Sequence, residues 1–305
     1  MSVSKILSKI YESAMEIPYD GSSKFVLMSD CHRGDGGWSD NFSNNQNLFF
    51  AALSFYYKND FTYIELGDGD ELWENRKFEQ VITMHSDAFW LMSKFYKKDR
   101  FHMLYGNHDM VKKSPKYVSL KCNTYYDESC KKRLPLFPKI KVHEGLVLKD
   151  KKTDHKIFLV HGHQCDFLNY KIWKVARFLV RYFWRPLELI GVHDPTSAAK
   201  NNTKKSAIEK HLSRWSKEHN QMIIAGHTHR PIFPKVGEPL YFNDGSCVHP
   251  RCITAIEIEN SEISLVKWTL KTKKNRNLFV DRVVLEGPTK ISEFYDNVRT
   301  FETTN

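Results

Sequence analysis

KFVLMSDCHR, residues 24–33, decides how the chain is read. Residues 24–29 are a short apolar run of strand length, and they stop at Asp30-Cys31-His32. A buried strand ending in a carboxylate and an imidazole puts two metal-type ligands at the edge of a sheet. The arrangement recurs four times along the chain. Residues 61–66 (FTYIEL) lead into Gly67-Asp68-Gly69-Asp70-Glu71, and 100–105 (RFHMLY) into Gly106-Asn107-His108-Asp109. Residues 156–160 (KIFLV) lead into His161-Gly162-His163, and 222–225 (MIIA) into Gly226-His227-Thr228-His229. Helical stretches at about 44–58 and 77–98 separate the first three runs. That βαβ alternation predicts an α/β fold with parallel strand pairs, whose site forms beyond the carboxyl ends of the strands.

The candidate ligands are Asp30, His32, Asp68, Asn107, His161, His227 and His229. They combine carboxylate, amide and imidazole donors, a set that suits Mn first, with Fe, Zn or Co as alternatives, better than Ca or Mg. Two divalent cations set against the carboxylates of Asp30 and Asp68 leave the centre at about +2, a trap for a phosphate group. Two metals roughly 3.5–4 Å apart can clamp phosphoryl oxygens and activate a water for in-line attack. One carboxylate has to bridge them, and Asp68, on its Gly67 turn, is the natural choice. His108, beside Asn107, is expected to face the leaving oxygen as a general acid, with Asp109 orienting its ring. Arg33, in a Gly-rich loop, is a candidate to fork onto a phosphate oxygen, and a surface salt bridge is its bland alternative. One of Asp70 and Glu71 is expected to position the loop, with metal ligation by either as the lesser alternative. His163 reads equally as a partner of the ligands or as a turn residue.

The ordered set D-x-H, G-D-x-x-[DE], G-N-H-[DE], H, G-H-x-H resembles the calcineurin-like metallophosphoesterases, over about residues 24–250. The resemblance implies a four-layer αββα sandwich, two sheets face to face with helices outside. It also implies that Asp30, His32, Asp68 and His229 hold one metal, and Asp68, Asn107, His161 and His227 the other. Between the fourth and fifth motifs, residues 167–220 insert a long helical stretch. Its position and character resemble the cap of the bacterial UDP-2,3-diacylglucosamine hydrolases, which split a pyrophosphate in a nucleotide-linked lipid. His163 departs from the Asp expected in that subfamily.

The whole chain, 1–305, reads as one such domain with 167–220 as a helical lid. The balance is basic, 46 Lys+Arg against 36 Asp+Glu for a formal +10, which favours anionic partners. Much of the excess lies in or beside the insertion: 166–220 carries eleven basic residues and five acidic ones. Lys171, Lys174, Arg177, Arg181 and Arg185 form one helical stripe there, and Lys171, Lys174 and Arg177 are candidate substrate contacts. Ile172, Val175, Ala176, Leu179, Phe183, Leu187 and Ile190 form an apolar stripe, with Trp173, Phe178, Tyr182 and Trp184 outside it. A lid packed on the body through that stripe is one reading. The other is contact with an acyl or nucleotide-linked substrate, or with an anionic membrane surface. A phosphorylated small molecule or lipid-linked compound is therefore the expected substrate, hydrolysed at a phosphodiester or pyrophosphate bond. The rivals are the same chemistry on a phosphoprotein or cyclic nucleotide, a scaffold without chemistry, and, least favoured, nucleic-acid binding.

No apolar run reaches the roughly 20 residues that span a bilayer. Lys5, Lys9, Glu12 and Glu16 interrupt any signal-peptide core, while Ile6, Leu7, Ile10, Tyr11, Ala14 and Met15 predict a surface helix. Six cysteines without C-x-x-C spacing point to free thiols in the cytoplasm, where the protein is expected, possible contact with the inner membrane surface included. Residues 240–242, 253–258 and 263–270 are expected to add antiparallel strands in a second sheet. Residues 271–276 read as a basic loop and 286–305 as a polar, partly disordered tail.

Overall fold

The computed structural model describes residues 2–127, 130–166, 170, 172–184 and 202–302. In chain order its first strands are β1 Met15–Tyr19, β2 Phe25–Met28, β3 Thr62–Leu66, β4 Phe101–Leu104, β5 Thr124–Asp127, β6 Lys132–Pro135 and β7 Val142–His143. They are followed by β8 Gly145–Asp150, β9 Lys156–Val160, β10 Met222–Ala225, β11 Tyr241–Asn243, β12 Cys252–Glu259, β13 Glu262–Thr272 and β14 Leu278–Lys290. The helices used below are α1 Val3–Ser13, α2 Gln46–Lys58, α3 Phe78–Met84, α4 Ser86–Lys97, α5 Pro115–Lys121, α6 Trp173–Leu179, α7 Asn202–His219 and α8 Ile291–Glu302.

Period-two alternation in each strand builds the layers. In β2, Phe25 and Leu27 face one way and Val26 and Met28 the other, and all four are buried. The first pair joins Ile64, Leu66 and Leu104 against Leu146, Leu148, Ile157, Leu159 and Ile224, which forms the core between two sheets. The second pair joins Tyr63 and Met103 beneath Phe49 and Leu53 of α2 and Phe89 and Met92 of α4. On the far side, Phe158, Val160 and Ile223 face Ile6, Leu7 and Ile10 of α1 and Ile208, Leu212 and Trp215 of α7. Helix, sheet, sheet, helix is the expected four-layer order.

One sheet runs β14-β13-β12-β2-β3-β4-β7, and the other β1-β8-β9-β10-β11. Within them β2, β3 and β4 are mutually parallel, as are β9 and β10. These five strands carry the five motifs, so every motif leaves its sheet at a carboxyl end. Among the described residues no helix is long and apolar enough to cross a membrane.

Several expectations are corrected. The strands after Ala225 do not make a sheet of their own. β11 pairs parallel with β10, while β12 and β13 extend the β2 sheet antiparallel. The second sheet draws instead on β1 and β8, short runs that sequence patterning passes over. The helix expected at 77–98 breaks at His85, whose ring is buried 2.8 Å from Asp40 and 3.2 Å from Gln46. Over 202–219 the insertion is not a lid, because α7 is the outer layer of the sandwich. Residues 286–302 are ordered structure and not a tail. β14 pairs along β13, and α8 sends Ile291, Phe294 and Tyr295, spaced i, i+3, i+4, into the core between the sheets.

Phe294 lies 5.2 Å from Phe242 and 5.9 Å from Phe233, ring to ring. Phe294→Ala is expected to cost about 3–5 kcal/mol, read as a lower urea midpoint; an unchanged midpoint would mean that α8 does not dock.

Candidate metal centre

The ligand residues leave their strands through unusual backbone. Asp30 (φ 51°), His32 (48°), Asp68 (50°), His227 (67°) and His229 (54°) all lie in the left-handed region. Non-glycine residues hold this conformation at a cost and mostly where a site demands it. It bends the chain sharply at the sheet edge and aims successive side chains inward. The neighbouring loops must approach closely for this to work. A Cβ on Gly106 would meet Asp68 Oδ1 at 2.1 Å, which is why the Asn107 motif begins with glycine.

The expected ligands fall into two groups, Asp30/His32/His229 and Asp68/His161/His227, and a third group, His32/Glu71/His108, adjoins them; the atoms of each lie within 4.8 Å of one another. His229 Nε2 is 3.0 Å from Asp30 Oδ1, and His161 Nε2 is 3.1 Å from Asp68 Oδ2. His32 Nε2 lies between the groups, 3.7 Å from Asp30 Oδ1 and 3.9 Å from Asp68 Oδ2. The other ends of Asp30, Asp68 and His161 are tied down. Asp30 Oδ2 accepts from the His227 backbone N–H at 2.8 Å, and Asp68 Oδ1 from that of His108 at 2.8 Å. His161 Nδ1 donates to the Leu66 carbonyl at 2.8 Å, which turns the Nε2 lone pair inward.

Four inward atoms are buried and form no hydrogen bond: Asp30 Oδ1, Asn107 Oδ1, His161 Nε2 and His227 Nε2. Buried polar atoms are rarely left so. Oxygen and imidazole nitrogen converging in one place are the donors a divalent transition metal takes, so the residues fit such a cofactor. The electrostatics agree. Burial pushes His227 down to about 3, with His161 adding to the shift, so its ring is neutral and its lone pair free. Burial alone would raise Asp30, but His229 and His161 outweigh it and hold the carboxyl well below the usual carboxylate range. His161 moves the other way. Burial opposes its charge, yet Asp68 and Asp30 raise it to about 9, so a metal entering here displaces a proton.

The family model for calcineurin-like phosphoesterases matches residues 23–231, well over half of the chain. The chain belongs to that family. Among solved structures it is similar to Vps29 from Chaetomium thermophilum, at 11% identity and a TM-score of 0.40, over 87% of this chain and 98% of that one. No curated protein matches it.

In this calcineurin-like phosphoesterase, two of the expected contacts go elsewhere. Glu71, rather than Asp109, faces the His108 ring. Its Oε2 lies 2.6 Å from His108 Nδ1 and 3.1 Å from His32 Nδ1. Asp109 Oδ1 instead accepts from the Gly106 N–H at 2.7 Å, and its Oδ2 pairs with Lys112 Nζ at 2.8 Å. Arg33 does not reach towards a phosphate, nor does it lie on the surface. Its guanidinium is fully buried, with Nε 2.7 Å from Asp70, Nη1 2.8 Å from Glu65, and the Phe89 ring 5.0 Å away. Lys112 Nζ, also fully buried, shares Asp70 at 2.5 Å.

Lys171 lies outside the described residues. Lys174 and Arg177 stack over Trp173, at 6.0 and 4.9 Å, rather than joining the ligands. Among the described stripe residues, Arg181 reaches the motif loops, donating to the Trp73 and Leu72 carbonyls at 2.6 and 2.8 Å. Of the apolar stripe, Ile172, Val175 and Leu179 are exposed together with Phe178 and Tyr182, while the side chains of Phe183, Leu187 and Ile190 lie outside the described residues. His163 is buried beside His161, His227, Tyr105 and Tyr170, and neither ring nitrogen has a hydrogen-bond partner. Burial and His161 keep its pKa well below that of a free histidine.

Arg33→Met would leave Glu65 and Asp70 facing each other without their shared cation. It is expected to lower unfolding stability by about 3–5 kcal/mol in a urea titration. Wild-type stability with weakened phosphate binding would restore Arg33 to the substrate.

Proposed function

We propose that the protein is a dinuclear metal-dependent phosphoesterase that hydrolyses a phosphodiester or pyrophosphate bond in a lipid- or nucleotide-linked substrate. The observation that carries this reading is the set of four buried donor atoms that form no hydrogen bond, on the residues following β2, β4, β9 and β10. Asp30, His32, Asp68 and His229 would hold one cation, and Asp68, Asn107, His161 and His227 the other, with Mn the first choice of metal. When bound, the two ions supply the positive charge that draws in a phosphate and lower the pKa of an attacking water.

The chain's own residues do the rest. Asp68 offers Oδ2 to both donor groups while its Oδ1 is held by the His108 N–H. His108 has Nδ1 turned to Glu71, leaving Nε2 as the atom that can give a proton to the leaving oxygen. Without that proton an alkoxide would have to depart, a poor leaving group at neutral pH. The preference for a bulky apolar substrate is supported by α6 and the turn after it. Val175, Phe178 and Tyr182, exposed at 54%, 59% and 51%, offer an apolar surface beside Lys174 and Arg177. A helix with both faces suits an acyl chain below an anionic headgroup. The six cysteines are unpaired, in keeping with a reducing cytoplasm in which the lid could rest against the inner membrane surface.

The test is a hydrolysis screen of Mn-loaded protein on a monoester, a diester, a nucleotide-sugar pyrophosphate and a lipid-linked pyrophosphate. Turnover is expected on the diester and on both pyrophosphates, and Asn107→Ala is expected to reduce it to background with less than the full complement of bound metal. Full turnover of an activated diester by Asn107→Ala would refute the site assignment. For the lid, Phe178→Ser is expected to raise KM for the lipid-linked substrate while sparing the soluble nucleotide sugar; equal effects on both would favour a soluble substrate.

A further inference from the structure

The turn that follows Glu71 has no part in holding metal, yet it is built against the His108 ring. Trp73 is almost fully buried, and its indole lies flat on that ring, centroids 4.5 Å apart and planes 23° from parallel. The Trp73 and Glu74 backbone N–H groups donate to Glu71 Oε1 at 3.2 and 3.3 Å. Glu71 Oε2 is thereby left to the imidazoles, 2.6 Å from His108 Nδ1. His32 closes the other side of His108 edge-on, with ring centroids 4.6 Å apart and planes at 84°. The His108 ring is thus in contact with the Trp73 indole and the His32 ring, and its Nδ1 faces the Glu71 carboxylate.

The turn is in turn gripped from the lid. Arg181 Nε and Nη2 donate to the carbonyls of Trp73 and Leu72. The next residue, Tyr182, takes the other end of the turn. Its hydroxyl accepts from Arg76, whose guanidinium also lies 5.2 Å from the Tyr182 ring. Two consecutive lid residues therefore clamp residues 72–76, and the contacts run without a gap from the lid backbone to the His108 imidazole.

We propose that Trp73 and Arg181 are positioning residues for the proton donor, so that seating of the lid sets the aim of His108. The proposal rests on the phosphoesterase reading above. In the step concerned, the bond between phosphorus and the leaving oxygen breaks and its electron pair stays on that oxygen. The oxygen takes the proton from His108 Nε2, the ring is left neutral with Nδ1–H on Glu71, and the water that adds to phosphorus releases its proton to solvent. A substrate with a good leaving group needs little of this help. A substrate with an alkoxide leaving group needs all of it. Coupling the donor to the lid favours substrates large enough to engage the lid, a form of induced fit.

The experiment compares wild type with Arg181→Met, Trp73→Leu and Trp73→Phe as Mn-loaded full-length proteins. The substrates are phosphodiesters that differ only in the leaving group, from 4-nitrophenoxide to ethoxide. Proton donation is worth roughly 10²–10⁴-fold, so Arg181→Met and Trp73→Leu are expected to lower kcat for ethoxide by about tenfold or more and for 4-nitrophenoxide by less than about twofold. Trp73→Phe, which keeps a flat ring on His108, is expected to restore most of the loss. An equal fall across the series would make both residues mere supports and would overturn the proposal. A readout independent of activity is the rate at which diethyl pyrocarbonate modifies His108 in metal-free protein, followed by mass spectrometry. Faster modification is expected in Arg181→Met and Trp73→Leu, and the wild-type rate in both would overturn the proposal. Absence of hydrolysis by wild type would refute the phosphoesterase reading, while the labelling would still decide whether the lid aims His108.

Discussion

Beneath the candidate centre lie five charged side chains with no access to water. Arg33 and Lys112 are the cations, and Glu65, Asp70 and Asp109 the carboxylates. Arg33 belongs to the loop after β2, Glu65 to β3, Asp70 to the loop after β3, and Asp109 and Lys112 to the loop after β4. Three of the ion pairs therefore tie one strand end to the next, and the fourth, Asp109–Lys112, lies within the loop after β4. Burying so much charge is costly, and the pairs repay the cost only because each charge meets an opposite one at close range. Asp70 shows the dependence, as it holds a cation from either side. Asp109 is the strained member, its carboxyl pushed up by burial, with Asp68 and Asp70 close by. A floor held this way is stiff, and stiffness is what a ligand set needs if its donors are to stay aimed without partners of their own.

The family and its candidate ligands were legible because their signal is local. Each ligand follows its apolar run within a few residues, and the parallel order of β2, β3, β4, β9 and β10 carries every motif to the same edge. The charged floor was not legible for the converse reason. Glu65 is separated from Arg33 by 32 positions, and nothing in RGDGG distinguishes a guanidinium bound for phosphate from one bound for the core. Glu71 and Asp109 pose the same difficulty. Both are acids two or three residues past a ligand, and only the turn of the 71–75 backbone decides that Glu71 reaches His108.

The insertion and the C-terminal region show a second limit, that of periodicity. An apolar stripe on a helix states that something must cover it, but not what. In α7 the stripe of Ile208, Leu212 and Trp215 faces the five-stranded sheet, whereas Ile172, Val175 and Leu179 face solvent. In α8 the charged and polar neighbours of Ile291, Phe294 and Tyr295 dilute the pattern until it resembles a tail. β14 is longer and more exposed than any of the strands that carry motifs, and its place is set by pairing with β13 rather than by burial.

The left-handed backbone at Asp30, His32, Asp68, His227 and His229 makes the choice of replacement part of any experiment on this centre. Asparagine and aspartate tolerate that region far better than alanine does, and β-branched residues tolerate it least. An Asp68→Asn protein therefore differs from wild type mainly in charge. Asp68→Ala changes charge, shape and the ease of making the turn at once, so its defect reports on the loop as much as on the ligand. The backbone thus narrows what can stand at these positions before any chemistry does.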